Sequence, residues 1–520
     1  MKARSFSHQF ALLAATLPLI LLVAACTQQK PNSFRLEQQL ESFAVAREVN
    51  TKVDLLFIVD NSASMDVSQD RLRRGFSTFA QKYLRPNWDI RVGVITTDSY
   101  MAHPAFGAYL KTTIGGTENW TSPYIQSRLS TFVNPDWNPS LVNPQTGAFK
   151  KGITWNDQVP AWGRNYARLL PGVHDGPIAA LCTENHAYFF YGASQCRIRD
   201  DQTRYSGPSQ CLSPSGGETA ITQCVNTVQN DTIHSGRPIL STQSGSQTLV
   251  SDFMINASVG TSGAGSERGL ASLQQFLQDN ETSDTAFFRK GSQRVFMILA
   301  DEDDQSMFIP AAGANPFTGY SSDCPLKTVD GYSYRLSSCA DSSKLIPVSQ
   351  VKNQVDTFFA ALDGTTGGAG LSGTYIVIPV VPLTGSAIQE LQQLRASDDL
   401  AAGNAGNVAV DHADRYLEFS EQVGNGSFAM NIADDDYSML LDRVGRAIVH
   451  RSSEYELKRP PTGTEDMIVT IIHVDGTKTV LPADTYTVEG TTLYLNDMDF
   501  VLTLSSQDRI LVNYQPKTLY

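Results

Sequence analysis

The chain has 520 residues, 41% hydrophobic and 18% charged, a globular composition with core enough for two or three ordinary domains. A formal net charge of -13 without any basic tract excludes a nucleic-acid surface and favours cations as companions. No GxSxG, GxxxxGK[ST] or HExxH occurs, so the common hydrolase, nucleotide-binding and zinc-peptidase motifs are absent.

Lys2 and Arg4, followed by an apolar run over 11–23, read as a secretion signal (1–25) that ends too soon to span a membrane. VAAC (23–26) resembles the bacterial lipobox, which implies lipidation of Cys26. Thr27, being other than Asp, implies the outer membrane by likeness to enterobacterial lipoproteins. An ordinary cleaved signal ending beside a cysteine is the alternative. Residues 26–50 then form the lipidated cysteine and a polar tether. Cys182, Cys196, Cys211, Cys224, Cys324 and Cys339 are an even set suited to an oxidising compartment. Their clustering predicts two disulfides within 182–224 and one within 324–339. Neither a CxxC pair nor a histidine couple supports zinc.

VDLLFIV (53–59) is a nearly continuous apolar run, the pattern of a strand buried on both faces. Leu72, Phe76, Phe79 and Tyr83 recur at helical spacing and predict a helix over 66–84, stopped by Pro86. IRVGVITTD (90–98) is the next strand, which completes an α/β unit. Residues 100–250 carry four of the cysteines and no sustained period, and are read as a disulfide-stapled insertion. Trp120, Trp137, Trp155 and Trp162 either anchor that insertion or give it a binding surface.

Regularity returns over 248–260, then in a glycine-punctuated loop opening a helix over 263–277. RVFMILADEDD (294–304) is an apolar strand ending in acid, and a second insertion spans 305–346. A helix over 350–362, strands over 374–382 and 427–432, and a helix over 434–449 follow, the last with Asp434, Asp435 and Asp436 at its start. The alternation predicts a doubly wound, mostly parallel α/β sheet over 51–452. LKRPP (457–461) marks a boundary, beyond which short strands and tight turns predict a small sandwich-like β domain over 460–520.

In a parallel sheet, ligands bind outside the carboxyl ends of the strands. The first strand ends in DNSAS, offering Asp60, Ser62 and Ser64, and the later one in Asp301-Glu302-Asp303-Asp304. Such hydroxyls and carboxylates, with no thiol or imidazole among them, suit Mg²⁺, Mn²⁺ or Ca²⁺. A helix cap is the competing account of DNSAS. Glu302, Asp303 and Asp304 are expected to form a solvated acidic turn.

D-x-S-x-S at the end of the first strand, with an acid ending a downstream strand, resembles the von Willebrand factor A (vWA) domain and its metal-ion-dependent adhesion site. The resemblance covers about 50–452, interrupted by the insertions. It implies that Asp60, Ser62 and Ser64 from a first loop and Asp301 from a third gather around one divalent cation. An acidic group from a protein partner, or water, would complete the coordination. The second loop departs from the family, which has threonine there. Ser266 or Glu267 takes its place, with Thr261 nearby, and Glu267 as the ligand would favour Ca²⁺.

The function expected is that of a lipid-anchored envelope protein, not an enzyme, that binds a protein ligand through its cation in adhesion or envelope assembly. A periplasmic scaffold with a structural metal is the alternative. Less favoured is a metal-dependent hydrolase in which Asp60 and Asp301 activate water.

Overall fold

The structure is a computed structural model that describes residues 47–60, 62, 64–97, 99–103, 105, 187–190, 195–198, 239–244, 249, 250, 253, 257, 267–280, 287–309, 326–335, 343–364, 375–402, 410–424 and 426–517. The first elements are β1 (Arg47–Glu48), β2 (Lys52–Val59), α1 (Asp66–Tyr83), β3 (Asp89–Thr96), β4 (Ala187–Phe190), β5 (Gln195–Ile198) and β6 (Leu240–Ser241). Next come α2 (Gly269–Asn280), β7 (Gln293–Leu299), β8 (Leu326–Val329), β9 (Tyr332–Arg335), α3 (Val348–Asp363) and β10 (Tyr375–Val381). Then follow α4 (Gly385–Ala402), α5 (Asp414–Val423), β11 (Met430–Asn431), α6 (Tyr437–Ser452) and β12 (Glu454–Glu456). The chain ends through β13 (Ile468–Ile472), β14 (Lys478–Val480), β15 (Tyr486–Glu489), β16 (Thr492–Leu495), α7 (Met498–Val501) and β17 (Arg509–Asn513).

Six strands form the main sheet in the order β11-β10-β7-β2-β3-β6. The first five run parallel, and β6 joins β3 antiparallel. The apolar run of β2 explains its central place, because both faces are covered. Val53, Leu55, Phe57 and Val59 enter one core, while Leu56 and Ile58 enter the other. On the first face lie α1 and α6, with Phe76, Phe79, Leu441 and Val444 in the core. On the second lie α2, α3 and α5, through Leu273, Phe359 and Phe419.

The expected strands and helices around β2, α1, β3, β7, α3, β10 and α6 agree with these bounds to within a few residues. Helices α4 and α5 were not expected. Helix α4 (GSAIQELQQLRASDDLAA) buries Ala387, Ile388 and Leu391, but by helical spacing Ala396 and Leu400 fall on the other side, so its apolar residues keep no single stripe along the whole length. Helix α5 is only 10 residues long and buries Tyr416, Phe419 and Val423 on one side. The second insertion contains the hairpin β8–β9, which leans on the start of α4, since a Cβ on Gly385 would meet Val329 O at 2.4 Å.

Strands outside 460–520 complete the C-terminal sheets. β1 pairs with β17 in a four-stranded sheet, and β12 pairs with β16 in a three-stranded one. Arg47 and Glu48, expected within the tether of 26–50, therefore form a strand instead, and Val49 is buried. Met467, Val469, Leu493 and Ile510 belong to the same apolar cluster as Phe57 and Val444, so the core runs on from the main sheet into this region. Asn87 Nδ2 ties the two by donating to Leu502 O (2.9 Å) and Leu504 O (2.6 Å).

Cys196 falls within β5, whereas Cys26, Cys182, Cys211, Cys224, Cys324, Cys339 and the four insertion tryptophans lie outside the described residues. Among the described residues, no helix is long and apolar enough to cross a membrane.

Helices α1 and α6 approach at Gly75, where a Cβ would stand 2.7 Å from the Tyr437 carbonyl carbon. Backbone cannot yield as a flexible side chain can, so Gly75→Ala should cost about 1–3 kcal/mol. Urea unfolding of the variant should show a lower midpoint with an unchanged slope; an equal midpoint would refute this close packing.

Candidate metal centre

The parallel register brings the ends of β2, β3 and β7 to one edge. Val59 is level with Thr96 and Leu299, so Asp60, Thr97 and the Asp301 loop leave the sheet together. Asp60 N donates to Leu299 O (2.8 Å) and Thr97 N to Val59 O (3.2 Å), which extends the pairing past the strands. Gln69, one turn into α1, donates from Nε2 to Asp60 O (2.8 Å).

Met65 is the N-cap residue of α1 and makes no side-chain cap bond, and the described side chains of DNSAS bond elsewhere. The side chains turn to the sheet edge instead. Asp60 Oδ1 accepts from Ser62 N (2.7 Å), and Asp60 Oδ2 accepts from Ser62 Oγ (3.2 Å). Ser62 Oγ lies 2.8 Å from Ser64 Oγ, which donates to Asp301 Oδ1 (3.3 Å). Two hydroxyl hydrogens thus serve three oxygen–oxygen contacts, and one contact in the row has no proton. Such a set of oxygens suits a cation better than it suits itself.

Glu267 completes the group. One carboxylate oxygen each from Asp60, Glu267 and Asp301 lies within 4.8 Å of the others. All three residues are fully buried. Neither Glu267 oxygen has a hydrogen-bond partner, a costly state for a buried carboxylate. Burial first, and then the charges of Asp60 and Glu302, push the Glu267 carboxyl well above the usual carboxylate range. Thr97 adds a buried hydroxyl, its Oγ1 donating to Asp60 Oδ1 at 3.5 Å.

Of the expected ligands, Asp60, Ser62, Ser64, Glu267 and Asp301 are brought together; Ser266 and Thr261 lie outside the described residues. Thr97 was missed. Its signal was available in the paired threonines of ITTD, at the carboxyl end of the strand beside β2.

The expectation of a solvated turn at 302–304 is wrong. Glu302, Asp303 and Asp304 are buried because the chain supplies partners for them. Asp304 Oδ1 accepts from Leu270 N (2.9 Å), while Ser306 Oγ accepts from Ala271 N (2.7 Å). The β7 loop thereby caps the start of α2 from outside that helix. Arg415 donates from its backbone N to Asp303 Oδ1 (2.8 Å) and from Nε to Asp304 Oδ2 (3.2 Å). Gln305 N donates to Glu267 O (2.7 Å), which fixes the Glu267 backbone against the same loop. Gly269 cannot carry a side chain here, since a Cβ would lie 2.4 Å from the Tyr416 hydroxyl. Of the acids at 434–436, expected at a helix start, Asp436 caps α6 by accepting from Ser438 N (2.9 Å).

These donors fit a hard divalent cation, since all are oxygens and the buried Glu267 carboxylate has no other satisfier. A bound cation would favour ionised Glu267 and link the β2, β3 and β7 loops. Comparison with known families finds no matching family model, and no curated protein matches the chain.

Without metal, the raised Glu267 pKa makes folding take up a proton. Its stability contribution is full below about pH 4.5, the ordinary value, and is lost as pH rises toward the folded pKa. Urea unfolding of chelated protein should show this loss, at up to about 1.4 kcal/mol per pH unit. Glu267→Gln should remove that component, and saturating Ca²⁺ should oppose it. Identical pH profiles for chelated wild type and Glu267→Gln would refute the assignment.

Proposed function

We propose that this is an exported, lipid-anchored binding protein that engages a protein partner through a divalent cation held by Asp60, Ser62, Ser64, Glu267 and Asp301. The observation that carries the reading is Glu267, a buried carboxylate with both oxygens unsatisfied beside two further acids and two serine hydroxyls. The mostly parallel sheet, with helices on both faces and the acids at its carboxyl edge, supports the likeness to vWA domains. The lipobox-like VAAC supports the anchor, and the outer membrane is its proposed address. Ser64 is only partly buried, and a partner atom would approach the ion from its side.

A second reading, a metal that only fastens loops, draws on the same burial. Asp60, Glu267 and Asp301 come from three separate segments and have no exposed surface. A cation among them would crosslink those segments even without a partner.

Thermal melts with Mg²⁺, Mn²⁺ and Ca²⁺ test the site. At a hundredfold excess over Kd, one of them should raise the wild-type Tm by about 3 °C, and Asp60→Ala should abolish the gain. No gain with any of the three sinks the metal centre. Partner capture that is lost on adding EDTA supports the binding protein, while capture that survives EDTA supports the fastening role.

A further inference from the structure

The acids at this centre count against one part of the resemblance, the acidic group offered by a partner. Asp60, Glu267 and Asp301 together carry three negative charges when ionised, against two positive charges on the ion. Glu302, buried beside them, adds to the negative potential felt at Glu267. A partner carboxylate would therefore approach a centre that is already over-neutralised, in surroundings where like charges repel more strongly than in water. A hydroxyl or carbonyl oxygen meets no such penalty.

The donor count points the same way. One oxygen from each of the three carboxyl groups and the two serine hydroxyls make five side-chain oxygens, and bidentate binding by Glu267, whose two oxygens are both unsatisfied, would make six, within the range Ca²⁺ takes in flexible geometry. Mg²⁺ gives up its water reluctantly, which a buried carboxylate cage disfavours.

We infer that Glu267 makes the centre a self-sufficient Ca²⁺ site, which fills without an acidic partner and presents the bound ion to a neutral oxygen donor. This rests on the metal centre proposed above and changes its partner chemistry. Glu267 would replace, from inside the chain, the charge that a partner would otherwise bring.

Titration calorimetry on the purified full-length chain tests it, with CaCl₂ or MgCl₂ as titrant at matched ionic strength. Wild type should bind Ca²⁺ in buffer free of carboxylates, roughly 10-fold or more tighter than Mg²⁺. Acetate should leave that Ca²⁺ affinity unchanged or lower it. Glu267→Gln, which preserves side-chain volume, should lose roughly 10- to 100-fold in Ca²⁺ affinity and regain part of it with acetate. Circular dichroism confirms that each variant is folded, and Glu267→Thr serves as a second variant. Acetate that tightens Ca²⁺ binding to wild type, or a folded Glu267→Gln of wild-type affinity, overturns the inference while leaving the metal centre standing. Wild type that binds neither cation overturns the centre and the inference together.

Discussion

Like charge held at close range in a dry place is the constraint on which the rest of this site depends. Asp60, Glu267 and Asp301 converge within 4.8 Å and are fully buried. Three ionised carboxylates in such a setting are not sustainable without positive charge or protons to offset them. For Asp60 and Asp301 the serine hydroxyls offer partial relief, whereas neither carboxylate oxygen of Glu267 accepts a hydrogen bond. Protonation, or the cation proposed above, would offset that charge at the unsatisfied carboxylate.

What holds the acids in place is a frame of backbone and charge around them. Parallel pairing of β2 with β3 and β7 sets the heights at which Asp60, Thr97 and the Asp301 loop leave the sheet. The β7 loop then turns inward and uses Asp304 and Ser306 to satisfy the first amides of α2. Arg415 from α5 neutralises part of that loop, and Gln305 pins the Glu267 backbone. The acids beyond Asp301 thus serve the architecture, which leaves Asp301 itself for the centre. Such division of labour within four consecutive acidic residues follows from which of them finds amides and a guanidinium within reach.

Away from the site, the first core face continues into the C-terminal strands. Pairing of β1 with β17 joins the segment just before β2 to the last strand of the chain. The strand that ends in Asp60 is thus anchored upstream by the C-terminal sheet and laterally by β3 and β7.

Periodicity alone determined the sheet strands β2, β3, β7 and β10 and the helices α1, α3 and α6, because burial on two faces or on one stripe leaves an apolar pattern that needs no partner to be read. Local reading also identified Asp60, Ser62, Ser64 and Asp301 as strand-end oxygens, whereas Ser266 and Glu267 entered as alternatives for the second loop only through the resemblance to vWA domains. Helix α4 escaped because its apolar residues do not keep to one stripe along its length, and Thr97 escaped because its role exists only beside β2. Only the tertiary structure decided that Glu267 joins Asp60 and Asp301, and that Glu302, Asp303 and Asp304 are buried. Charge interactions and desolvation belong to groups hundreds of residues apart in the chain, so a run of acids reads the same whether it faces water, an arginine or an ion.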